Sequence, residues 1–134
     1  GGAWPSPATE RYVRKKCNDT LFIPMIESVE GMNNLDAICS IDGVHGVFVG
    51  PNDLTVNMGI PNEYDHPDFI AALQTLIDTA NRRHIAAGCW FGEERQAVRT
   101  IQQGARLVVF SNDALLLKNA ITVSFTQLRT LSAR

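Results

Sequence analysis

The sequence predicts an α/β fold built on a parallel sheet. Apolar runs of strand length alternate four times with amphipathic runs of helix length. Parallel strands need crossovers, and helices supply them. No linker or low-complexity segment divides the 134 residues, a length that suits one domain or part of a larger one. The first two strands each finish in a carboxylate, and that edge of an α/β sheet is where ligands bind.

Each element can be justified in turn. Residues 1–20 read as a lead-in loop and helix, with "GGAWPSPATERY" as loop because it holds two prolines in three residues. "LFIPMI" (Leu21–Ile26) is the first strand, although Pro24 costs it a ladder donor. Glu30 to Ser40 is a helix with Met32, Leu35, Ile38 and Cys39 on one stripe. "GVFVG" (Gly46–Gly50) is the second strand. "HPDFIAALQTLIDTANRRH" is the clearest helix, with Phe69, Leu73, Leu76 and Ile77 at near-helical spacing and Pro67 in the first turn. "IAAGCW" (Ile85–Trp90) is the third strand. Glu93 to Gln103 forms a helix stopped by Gly104. "RLVVF" (Arg106–Phe110) is the fourth strand, and Asp113 to about Leu131 is a last long helix. Four such units make either an open doubly wound sheet or half of an eight-unit barrel.

Composition narrows the function classes. The chain is 45% hydrophobic and 19% charged, with a formal net charge of -2. Nine arginines and three lysines are scattered, so neither a nucleic-acid face nor a polybasic membrane patch is indicated. There is no transmembrane run and no signal peptide. Cys17, Cys39 and Cys89 form no CxxC pair and read as buried or half-buried free thiols, which points to a reducing, cytoplasmic compartment. The absence of GxGxxG, GxxxxGK[ST] and GxSxG removes the usual nucleotide and serine-hydrolase readings. The chain starts Gly-Gly without an initiating methionine: a tag scar, a processed chain or a fragment.

The two strand-end acids are Glu27, from "PMIE", and Asp53, from "GPND". Adjacent parallel strands lie about 4.8 Å apart, so side chains leaving their tips can converge on one ion. Two carboxylates that close repel unless one is protonated or a cation sits between them. Oxygen ligation favours a hard divalent ion over zinc, and an open site suits Lewis-acid chemistry on a carbonyl. The competing reading is structural: Asp53 caps the turn or a short helix at Leu54, and Glu27 begins a helix whose positive end it complements.

The stretch "PMIESVEGMNNLDAICSIDGVHGVFVGPNDLTVNMG" (Pro24–Gly59) resembles the signature of the HpcH/HpaI aldolase/citrate lyase family. "YVRKKCND" upstream, and "HPDF" and "QGARLVVFSNDALLL" downstream, extend the similarity over most of the chain. The resemblance implies a (β/α)₈ TIM barrel of which residues 1–134 supply the last four βα units, and a metal-dependent class II pyruvate aldolase. Glu27 and Asp53 are then the metal ligands, for Mg²⁺, Mn²⁺ or Co²⁺. Backbone amides around Asn52 and Asp53 hold the carboxylate of pyruvate, with Gly50 and Met25 in the same substrate site. The general-base histidine and the substrate-binding arginine are expected in the first half of the barrel. A cytoplasmic homo-oligomer, a hexamer by resemblance, is expected, with the C-terminal helix packing across a dimer. The expectation is a portion of a full aldolase that needs the remaining half of the barrel. The alternatives are a non-catalytic relative that binds metal or keto acid or serves assembly, and a citrate- or malyl-CoA-lyase-like enzyme.

Two local departures stand out. Met25 replaces a glutamine found in many members, so one hydrogen bond to the keto acid drops from the expected set. Ser111-Asn112-Asp113 stands where many have Gly-x-Asp. His66, just before Pro67, reads as a helix cap or surface group rather than a substitute base. His45 and His84 read as solvated. Lys15, Lys16 and Lys118 fall at no strand end, which disfavours a Schiff base within this segment. Trp90 and Phe91 either line a pocket or pack in the core.

Overall fold

The computed structural model describes residues 6–132; the start of the expected lead-in loop lies outside the described residues. The elements are α1 (Pro7–Asp19), β1 (Met25–Ile26), α2 (Val29–Asn33), α3 (Leu35–Cys39), β2 (Gly46–Val49), α4 (Pro51–Asn57), α5 (Pro67–Arg82), β3 (Ala86–Phe91), α6 (Glu94–Gln102), β4 (Leu107–Phe110) and α7 (Asp113–Ser132).

Three elements depart from the sequence reading, each for a local reason. Pro7, one of the two prolines that suggest loop, instead starts a helix: it takes the first position of α1, and the Ser6 hydroxyl accepts the Thr9 N–H at 3.2 Å. The first strand shrinks to Met25–Ile26 plus an isolated bridge between Phe22 and Val44. Pro24 takes part only as an acceptor, from Phe48 N–H at 3.0 Å. The helix read over residues 30–40 is two helices, broken at Asn34, whose side-chain amide takes the Glu30 carbonyl at 2.9 Å. The loop after β2 contains one further helix, α4, which opens with Gly50 as N-cap and Pro51 inside the first turn.

All four strands are parallel and lie in the order β1-β2-β3-β4. A doubly wound sheet reverses its order at a switch point. This one runs in a single direction, as consecutive units of a barrel do.

One face of the sheet is packed. Ile26, Val47, Val49, Ala87, Cys89 and Phe91 are buried, and α5 covers them with Phe69, Leu73, Leu76, Ile77 and Ala80. Those five positions fall on one stripe at helical spacing, which is why α5 was the clearest helix in the sequence. Leu73→Ala is expected to cost about 3 kcal/mol, read as a shift in the denaturant midpoint, because it empties a fully buried site. Burial pushes the Cys89 thiol up to about 12 and raises that of Cys39. Cys17, expected to be at least half buried, is exposed, because α1 buries none of its residues.

The opposite face and the final helix are not covered. On that opposite face Met25 of β1 and Val109 of β4 are exposed; Phe110, the register partner of Phe91 and so on the packed side, is also exposed, as are Leu117, Phe125 and Leu131 on α7. Among the described residues α7 adds nothing to the buried core. Apolar surface left open on the sheet and on α7 is of the kind that marks interaction faces. No helix among the described residues is long and apolar enough to cross a membrane.

Candidate active site

The site grows out of the β1–β2 pairing. Ile26 and Val49 are register partners, and the Gly50 N–H donates to the Ile26 carbonyl at 3.1 Å. The next residues, Glu27 and Gly50, therefore leave the sheet side by side. A Cβ placed on Gly50 would stand 3.0 Å from Glu27 Cβ, 3.0 Å from Met25 Sδ and 3.1 Å from Glu27 Oε2. A larger residue there would crowd the Glu27 and Met25 side chains, which would have to give by a few tenths of an ångström. Asn52 and Asp53 follow in the first turn of α4, both exposed.

Of the structural alternative for these acids, the capping part is not seen, while both stay next to helix starts. Ser28 caps α2, its hydroxyl accepting the Gly31 N–H at 3.0 Å, and Gly50 is the N-cap of α4. Neither Glu27 nor Asp53 is a cap; what remains for Asp53 is a favourable place near the positive end of a helix. The start of α2 is in turn tied to α4 by the Val29 N–H, which donates to Asn57 Oδ1 at 2.8 Å.

A cavity of about 210 Å³ opens at this edge, lined by Met25, Phe48, Gly50, Asn52, Asp53 and Trp90. Trp90 is fixed by its indole N–H, which donates to the Ser111 carbonyl at 3.0 Å. Ser111 is buried with φ +59°, the left-handed region that glycine favours. Phe91, its side chain fully buried, belongs to the core, so of the aromatic pair only Trp90 lines the cavity.

The other sequence candidates lie elsewhere. His66 is the N-cap of α5, its Nδ1 accepting the Asp68 N–H at 3.2 Å. His45 Nδ1 accepts the Phe22 N–H at 3.1 Å, ahead of β2 and so at the end of that strand opposite Asp53. His84 is exposed past the end of α5. Lys16 lies in α1 over the Tyr12 ring, and Lys118 lies in α7. Among the described residues no three His, Cys, Asp or Glu side chains gather to hold a metal. Glu27 lies against Gly50, and Asp53 follows three residues later in the first turn of α4.

A polar network behind Asn52 was not read from the sequence. The Tyr64 hydroxyl donates to Asn52 Oδ1 and lies 3.0 Å from Asn62 Oδ1. The buried Thr55 hydroxyl donates to the carbonyls of Pro51 and Asn52 and accepts the Asn62 N–H at 3.1 Å. From α6, Arg99 donates to the Tyr64 carbonyl at 2.9 Å, while Arg95 and Arg99 each reach the Asp65 carboxylate at 2.7 Å. The loop between α4 and α5 is thereby clamped at both ends. Only the Arg95–Arg99 spacing on one face of α6 hinted at this; the partners, roughly thirty residues earlier, carry no motif. An open hollow of about 560 Å³ beside it, lined by Asn62, Asp65, Glu93 and Arg95, contains neither strand-end acid.

Hydrogen bonds from Arg99 and then Arg95 hold the Asp65 carboxyl below its usual range. A depressed carboxylate contributes stability that is present above its unfolded value, about 3.9, and is lost as pH falls through the lower folded value. The clamp is thus expected to persist at pH 6 and to release below about pH 4, followed by amide exchange in residues 60–66. Asp65→Asn should flatten that acid limb.

Residues 6–120 match the HpcH/HpaI aldolase/citrate lyase family. The chain belongs to that family. It is 31% identical over 93% of its length to a 2-keto-3-deoxy-L-rhamnonate aldolase of Klebsiella pneumoniae, of which it covers 47%. It is 34% identical over 81% of its length to a 4-hydroxy-2-oxo-heptane-1,7-dioate aldolase of Escherichia coli, of which it covers 42%. The chain therefore spans about half the length of these curated relatives. Among solved structures, an HpcH/HpaI aldolase/citrate lyase family protein from Burkholderia cenocepacia superposes with a TM-score of 0.79 at 26% identity, covering 96% of this chain and 52% of that one. The four parallel strands thus match part of a family aldolase.

Proposed function

We propose that the chain supplies the last four βα units of a (β/α)₈ lyase that cleaves a 2-keto-3-deoxy or 4-hydroxy-2-oxo acid to pyruvate and an aldehyde. The observation that carries this reading is the Glu27 carboxylate lying against Gly50, one turn of chain from Asp53. The single-direction strand order and the uncovered sheet face support the missing four units.

Glu27 and Asp53 would be the residues to hold a hard divalent ion, Mg²⁺, Mn²⁺ or Co²⁺, and two oxygen ligands would leave room on it for water and substrate. When bound, such an ion supplies positive charge where cleavage of the C3–C4 bond leaves negative charge. The chain's own residues do the rest. Backbone N–H groups at Asn52 and Asp53 take the substrate carboxylate, and Gly50 keeps the approach open. Phe48 and Trp90 wall the cavity against water. As the bond breaks, its electron pair stays with the pyruvate carbon, and the C4 hydroxyl loses its proton as the aldehyde forms. None of His45, His66 and His84 lines the cavity, so the proton acceptor is expected from the other four units.

Met25 Sδ sits where a donor would be useful, and a thioether offers none. Met25→Gln is expected to tighten pyruvate binding about tenfold, the worth of one hydrogen bond to a polar ligand group; unchanged or weaker affinity by calorimetry would place residue 25 away from the keto acid. The function itself is tested on the protein at its natural length, with pyruvate release from 4-hydroxy-2-oxo and 2-keto-3-deoxy acids followed at set Mg²⁺ or Mn²⁺ levels. Turnover that needs the ion supports the lyase. A folded protein that binds keto acid yet releases no pyruvate would leave a non-catalytic relative.

A further inference from the structure

We propose that Tyr64 is a positioning residue that sets which end of the Asn52 amide meets the keto acid, an inference that rests on the lyase reading above. A phenol has one proton to give, and two amide oxygens, of Asn52 and Asn62, face the Tyr64 hydroxyl. Both bonds stand together only when one amide turns to donate its own N–H. Asn52 Oδ1 is the nearer of the two oxygens, so it is given the Tyr64 proton, and the Asn62 amide is turned. With its oxygen occupied, Asn52 presents its NH₂ group to the cavity it lines with Asp53 and Trp90. Two N–H donors facing outward recognise a carboxylate; an amide left free to rotate presents an oxygen half of the time and repels one.

The hydroxyl is itself well placed for this duty. Burial raises the Tyr64 phenol above its usual value, which keeps its proton in place at neutral pH. The ring is held edge-on against Phe69 with centroids 6.0 Å apart, and Arg99 holds the Tyr64 carbonyl. Tyr64 therefore links the α6 clamp to the first turn of α4.

The test uses the protein at its natural length, with Tyr64→Phe, Asn52→Ala and the double variant. Tyr64→Phe keeps the ring and removes only the hydroxyl. Two quantities are read: the Asn52 side-chain amide resonances without ligand, and pyruvate affinity with Mg²⁺ present. The expected result is exchange-broadened Asn52 NH₂ signals in Tyr64→Phe, with pyruvate bound about tenfold more weakly in each single variant and no more weakly in the double. Broadened signals with no pyruvate binding even in the unaltered protein would overturn the lyase reading while leaving the positioning contact standing. Sharp, unshifted Asn52 signals in folded Tyr64→Phe, or additive losses in the double variant, would overturn the proposal itself.

Discussion

Glu27→Gln and Asp53→Asn are each expected to abolish ion-dependent keto-acid cleavage, by about a thousandfold or more, because loss of one ligand forfeits several kcal/mol of charge stabilisation. Both substitutions keep the side-chain shape, so the crowded approach of Glu27 to Gly50 is preserved. Neither residue is a helix cap, so thermal stability should change little in either variant. Lost turnover with unchanged melting is the expected pair of observations, read by a pyruvate-release assay and a thermal scan on the same samples. Comparable turnover in Asp53→Asn would remove the carboxylate pair from the chemistry. Unfolding of both variants would return the acids to a structural role.

The second large effect concerns the sheet itself. A Cβ on Gly88 would stand 2.1 Å from the Leu107 carbonyl oxygen and 2.8 Å from Leu107 Cβ, both on a paired strand. Backbone cannot step aside as the tip of a side chain can, so Gly88→Ala forces β3 and β4 apart. The expected cost is about 3 kcal/mol or more, a large share of the 5–15 kcal/mol typical of a domain. In a thermal scan that is a fall of roughly 10 °C or more, and amide protection in Leu107–Phe110 should fall with it. Gly43→Ala meets no atom within 4 Å but sits at φ +90°, and should cost only about 1 kcal/mol of backbone strain. A Gly88→Ala variant as stable as the parent would mean that β3 and β4 are not so closely paired.

How much of this was legible depended on the range of the forces involved. The alternation of strands and helices, the buried stripe of α5 and the stop at Gly104 are written in local periodicity and turn chemistry, and all three are present. Glu27 and Asp53 could be singled out as candidates because Glu27 follows directly on the first strand and Asp53 comes four residues after the end of the second. What escaped was competition between local signals. Pro7 reads as loop or as a helix start depending on Ser6, and Asn34 breaks a helix whose apolar stripe continues past it. Pairing at long range escaped as well. Tyr64 lies 12 residues from Asn52, and Arg99 lies 34 from Asp65. Nothing in either segment names its partner until the chain is folded. The exposed faces of α7 and β4 show the same limit from the other side, since their apolar residues signalled burial that this chain does not itself provide.

The most direct measurement is a calorimetric titration of Mn²⁺ into the folded protein with oxalate present, alongside Asp53→Asn. One ion bound per chain, bound more tightly with oxalate than without, and no binding in the variant are the expected results. Equal binding by both proteins, or none by either while both are demonstrably folded, would contradict the ion site proposed at Glu27 and Asp53.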